Sequence, residues 1–149
     1  MLKQIIDGLE LNAHHTRSIS LSRDLNDDAA ISSYLPTPNA VQALKQIGTA
    51  LAECRSQRAW KVVGPYGSGK SALTIVLAQL LAGRDAHPAA WEMLREASAS
   101  VADLFSGSRR FALAIVGARL SIGLALGAEV RRALEGWPQD KAVNALKHH

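Results

Sequence analysis

Eight residues near the middle of the chain, Gly64-Pro65-Tyr66-Gly67-Ser68-Gly69-Lys70-Ser71, constrain it more than any other stretch. They satisfy G-x-x-x-x-G-K-[ST] at every fixed position. Glycines at 64, 67 and 69 permit backbone conformations and close approaches that a side chain blocks, so successive N–H groups can turn inward on an anion. With glycine at about 7% of ordinary sequence, a chance match in a chain this short is expected roughly once in a few hundred sequences.

The flanks fit the same geometry. Trp60-Lys61-Val62-Val63 is a short, mostly apolar and β-branched run, and residues 72–81 are long and apolar enough for about three helical turns. Strand, glycine loop and helix are therefore predicted in that order. The free N–H groups and dipole at the start of the helix favour a negative ligand. The expected site comprises Gly64, Pro65, Tyr66, Gly67, Ser68, Gly69, Lys70, Ser71 and Ala72, with the backbone from Pro65 to Ala72 around the phosphates of a nucleotide. Lys70 would reach the β- and γ-phosphates as a point charge, the one side chain with a catalytic role, and the Ser71 hydroxyl would take a position on Mg2+. The competing explanation is a glycine-rich turn carrying an exposed lysine.

The 149 residues are enough for one domain with a real core, yet few for a complete ATPase built on such a loop. Only 5% are aromatic, so the core rests on Leu, Ile, Val and Ala. A formal net charge of +4 is mildly basic, but Arg109-Arg110 and Arg131-Arg132 are isolated pairs without interleaved aromatics, the pattern of solvated faces rather than a nucleic-acid stripe. The single cysteine, Cys54, excludes an internal disulfide framework, and with no secretion signal at the N-terminus it points to the cytoplasm. His14 and His15 have no metal-ligand partner at a suitable spacing.

Along the chain, Leu2, Ile5, Ile6 and Leu9 suggest a short amphipathic helix, and the alternation over residues 18–22 a brief strand before a polar turn from Asp24 to Asp28. Thr37-Pro38 opens a helix with Val41, Leu44, Ile47, Gly48, Leu51 and Cys54 on one face. The helix after the loop should be largely buried and stop at Gly83. Pro88 starts a further helical region, single or broken near Ser98, whose stripe of Trp91, Leu94, Val101, Leu104 and Phe105 reads as core.

Residues 111–116 form a continuous apolar run, as expected of a strand buried on both faces, and a helix follows with Ser121 near its start. A membrane span over residues 111–128, with Gly123 and Gly127 spaced for helix packing, is the alternative. Arg119 would cost it about 2.5–3.5 kcal/mol. His148-His149 reads as natural sequence or the stub of a purification tag.

Hydrolysis on such a loop ordinarily needs a second apolar strand ending in Asp or Asp-Glu to hold magnesium and orient water. The sequence offers none: the apolar runs at 101–103 and 111–116 fail by length, setting or lack of a carboxylate. Whether the chain is itself an enzyme is left open. No guanine-reading pattern is present, so ATP is taken by default.

The Gly64–Ser71 loop resembles the Walker A loop of AAA+ type P-loop ATPases, in which Gly-Pro opens the loop. More broadly, Tyr34-Leu35-Pro36-Thr37 before a helix, the loop, and Ala114-Ile115-Val116-Gly117-Ala118-Arg119 before another helix resemble the N-terminal part of large bacterial defence-operon ATPases of BREX-like systems, over roughly residues 17–136. The resemblance implies an α/β fold of βα units with a helical N-terminal extension, and a parallel sheet of order 5-1-4-3-2. Residues 60–63 would be its first strand and 111–116 an outer one, with the strands between them missing. The sheet would be incomplete and its edges unpaired.

The expected organisation is an extension over 1–58, a partial nucleotide-binding core over 59–138 and a tail over 139–149, as in an amino-terminal piece of a longer ATPase acting on nucleic acid or partner proteins. A small nucleotide or metabolite kinase, and a non-hydrolytic module in which nucleotide orders an oligomer, are the alternatives. No membrane partner is expected.

Overall fold

The structure is a computed structural model that describes residues 18–53, 59–115 and 121–135. The chain divides into two compact units, Met1–Arg110 and Phe111–His149. In the first, the described helices are α1 (Leu21–Asp24), a 3-10 turn (Asp28–Ile31), α2 (Pro38–Ala52), α3 (Lys70–Ala82), α4 (Pro88–Ala97) and α5 (Ala99–Asp103); in the second there is α6 (Ile122–Glu135).

The expected α/β fold with a parallel sheet is not what forms. The described residues contain no β-strand: 60–63 and 111–115 belong to neither a helix nor a ladder. A strand is held by hydrogen bonds to a neighbouring strand, and no described segment supplies that neighbour. The apolar side chains that suggested burial are correspondingly open, Val63 being 76% exposed and Phe111 55%. Residue 116, the N-terminal helix, Cys54 and Arg119 lie outside the described residues.

The brief strand over 18–22 is replaced by the start of α1. Here the Asp24 carboxylate, 2% exposed, accepts the Ser20 amide at 2.8 Å and both Nε (2.7 Å) and Nη2 (2.8 Å) of Arg23. Arg23 Nη2 also donates to the Ser18 carbonyl at 2.9 Å. These side-chain bonds give the local backbone an alternative to a ladder. The same Asp24 contact raises the pKa of the exposed Arg23 guanidinium.

α2 begins as its sequence dictates. Thr37 Oγ1 accepts the Ala40 amide at 3.2 Å, and Pro38 occupies the first turn, where its missing N–H costs nothing. Its apolar face turns inward through Leu44 and Ile47, while Gln42, Lys45 and Gln46 stay exposed. α3 is apolar around most of its circumference and is correspondingly enclosed, with Ile75 and Val76 at 0% exposure. Gln79, also buried, donates through Nε2 to the carbonyls of Leu25 and Asp27, each at 3.3 Å, fastening α3 to the turn that follows α1.

α3 ends at Gly83, whose φ of 105° lies where side-chain-bearing residues rarely go. A Cβ there would land on the Ser108 carbonyl oxygen, because the chain after α5 returns along this end and Arg110 donates its amide to the Leu81 carbonyl at 2.7 Å. Only glycine meets both demands.

The helical region after Pro88 is two helices, divided at Ser98, which is extended with φ −164° and ψ 100°. Its stripe is core: Trp91, Leu94, Val101 and Phe105 are all buried against α2 and α3. Arg84 and Arg95 lie over the Trp91 ring, 4.5 and 5.3 Å from its centroid. His87 Nδ1 and Asp28 Oδ1, 2.6 Å apart, tie the start of α4 to the 3-10 turn.

In the second unit α6 is preceded by Ser121, whose carbonyl accepts the Ala125 amide at 3.1 Å and whose Oγ accepts the Leu124 amide at 3.4 Å. Ile122 and Leu124 are 81% and 67% exposed. Among the described residues no helix is long and apolar enough to cross a membrane.

Candidate functional site

The loop between the segment at 60–63 and α3 is shaped by two glycines with positive φ, Gly67 at 76° and Gly69 at 77°. Gly69, with ψ 16°, is in the left-handed helical region and forms the N-cap of α3. A glycine cap offers no side-chain oxygen to the first-turn amides, and no side chain caps this end. The first intrahelical bond is Leu73 N–H to the Gly69 carbonyl at 2.9 Å, so the amides before it point out of the helix toward whatever fills the loop.

Lys70 folds back across the loop. Its Nζ donates to the carbonyls of Pro65 (2.6 Å) and Gly64 (3.0 Å), with Ser68 Oγ at 3.4 Å. These three acceptors match the three protons of the ammonium. The sequence places the lysine directly after Gly69, and the left-handed cap turns the helix start so that its side chain reaches back five and six residues. The loop's one cation is thus fixed against its carbonyls at the start of α3, while the Ser68 amide donates to the Pro65 carbonyl at 3.4 Å.

A cleft of about 670 Å³ opens from this loop, within the range of small-molecule sites. Of the nine residues expected at the site, Gly64, Pro65, Gly67, Ser68, Gly69 and Lys70 line it. The other three do not. Tyr66 is at the loop tip and fully exposed, Ser71 is exposed on the first turn of α3, and Ala72 is buried beneath it.

The rest of the lining divides by chemistry. α2 and α3 contribute an apolar wall through Leu44, Ile47, Leu73 and Leu77, with Thr74 among them donating its hydroxyl to the Lys70 carbonyl at 2.9 Å. Tyr34, Thr37 and Asn39 enter from the approach to α2, and Trp60, Lys61, Val62 and Val63 from the segment before the loop. Partial burial raises the Tyr34 phenol above its ordinary pKa.

Sequence reasoning assigned residues 60–63 to a strand and so missed Trp60 and Lys61 as wall residues. The available signal was their chemistry: an indole and an ammonium side by side suit a ligand-facing wall as well as a strand.

Magnesium is implied by the loop pattern. The Ser71 hydroxyl is a hard oxygen donor of the right kind, placed one residue beyond Lys70. Among the described residues no group of three His, Cys, Asp or Glu side chains could hold a metal by itself. An ion on Ser71 would accordingly take most of its shell from phosphate oxygens and water, the usual habit of magnesium. Set against protein-family models, curated proteins and solved structures, the chain matches none.

Proposed function

We propose that the chain binds a nucleoside triphosphate, ATP, with Mg2+, through the Gly64–Ala72 segment. The observation that supports it is the placement of the Lys70 ammonium across a loop whose helix end is left uncapped, at one end of a cleft large enough for a nucleotide. Free first-turn amides and an ammonium at one helix start favour an anionic ligand, and a chain of phosphates is the one that the loop pattern implies.

On binding, phosphate oxygens would replace water on the first-turn amides of α3. Lys70 would exchange part of its bonding to Gly64 and Pro65 for the β- and γ-oxygens, and Ser71 would add its hydroxyl to the metal. Bound magnesium supplies charge neutralisation on the same oxygens. All of these interactions act on the nucleotide as it binds, so binding is the activity proposed. In the ATPases that the loop resembles, binding drives movement of nucleic acid or protein, and the same loop would serve that end here.

Lys70→Ala tests it. Hydrogen bonds to charged groups contribute about 1.5–3 kcal/mol, so affinity for Mg-ATP should fall at least about tenfold in calorimetry while the fold persists, since the Lys70 side chain is on the surface of the loop. Equal affinity in a folded variant would remove the site.

A further inference from the structure

We infer that the apolar half of the cleft holds the base of the nucleotide, and that Trp60 is the stacking surface that makes the site prefer a nucleotide to a bare phosphate chain. The inference rests on the phosphate-loop assignment above and adds to it the identity of the other end of the ligand.

A triphosphate needs only the loop, yet the cleft continues from it along the Leu73 and Leu77 face of α3. That surface is apolar, so it offers a phosphate chain nothing, whereas a flat aromatic base buries well against it.

Two aromatic side chains line the cleft, and their surroundings separate them. Tyr34 is packed against the hydrophobic core, so its ring is already engaged. Trp60 is not among the side chains of that core and is 38% exposed, which leaves indole surface for a ligand. It precedes Gly64 by four residues, at most about 14 Å of chain, the order of length separating the phosphates of a nucleotide from its base. Lys61 beside it adds a second ammonium to the same wall. Indole stacking is tolerant of base identity, so the preference is for a nucleobase as such, with little choice between ATP and GTP.

The experiment compares Mg-ATP, Mg-GTP and magnesium tripolyphosphate by calorimetry on the full chain. Wild type should bind both nucleotides about tenfold tighter than tripolyphosphate. Trp60→Phe should keep most of that ratio. Trp60→Leu should bring it close to one while leaving tripolyphosphate affinity unchanged.

A ratio near one in wild type, or a ratio that survives Trp60→Leu, overturns the inference but not the phosphate site, which tripolyphosphate binding and Lys70→Ala report separately. If nothing binds wild type, both are wrong. Should Trp60→Leu fail to fold, tryptophan emission decides in an otherwise native chain carrying Trp137→Phe, where of the two tryptophans left Trp91 is buried and supplies a blue-shifted background, and Trp60 supplies the exposed, long-wavelength signal. ATP must quench or shift the exposed Trp60 signal and tripolyphosphate must not, and identical responses to the two overturn the inference.

Discussion

Gly69 carries more of the site than its size suggests, because one residue sets the loop's exit, the uncapped start of α3 and the direction of Lys70. Its φ of 77° is costly for any residue with a Cβ. A Cβ would meet nothing within 4 Å, so the penalty of Gly69→Ala is backbone strain alone, about 1–2 kcal/mol. The expected result is a modest fall in the thermal midpoint, a few degrees for a chain of this size. Phosphate affinity should fall with it if the strain is relieved by rotating the first-turn amides away, and calorimetry with tripolyphosphate beside thermal unfolding checks the pair. At this scale the sequence was informative about backbone: Gly67 and Gly69, expected to take conformations open to glycine, both have positive φ, and Lys70 follows at the first position of α3. Ser71 is exposed on the first turn of α3 beside Lys70 and is not among the residues lining the cleft.

Elements built from local bonds follow the sequence closely. The start of α2 at Thr37-Pro38 and the stop of α3 at Gly83 were visible as capping residues, and of the two readings left open after Pro88 the one broken near Ser98 is what forms. What the helices do for the cleft is indirect, since α2 and α3 hold its walls only while the core behind them is filled. Leu94 in α4, at 0% exposure, is part of that core. Leu94→Ala should cost about 2–5 kcal/mol by lost transfer energy and the void left behind. Leu35→Ala, where the side chain is 85% exposed, should stay within about 0.5 kcal/mol. Urea unfolding of the two variants measures the contrast, and similar losses at both positions would contradict the packing of α4 against α3.

Dependence on pH belongs to the whole molecule, because it reports the difference between folded and unfolded chains. Tyr34 has a folded pKa raised above 10.0 by desolvation. The folded state therefore favours the neutral phenol, and this contribution is complete below the unfolded value and lost as pH rises through the folded one. Thermal midpoints from about pH 8 to pH 11 should fall less steeply in Tyr34→Phe than in wild type. Coincident slopes would show that the phenol is not desolvated by folding. The fold as a whole is also where the sequence misled. Residues 60–63 and 111–116 have the composition of strands, the second of a buried one, yet composition states only what a segment tolerates. By itself the sequence determined the glycine loop's backbone and the ends of α2 and α3, because helical bonds join residues four apart and a cap or a left-handed glycine acts within its own turn. Only the tertiary structure decided that Trp60 and Lys61 line a cleft instead of a sheet, because a strand requires a ladder partner remote in the chain and a cleft requires two packed helices to leave a gap.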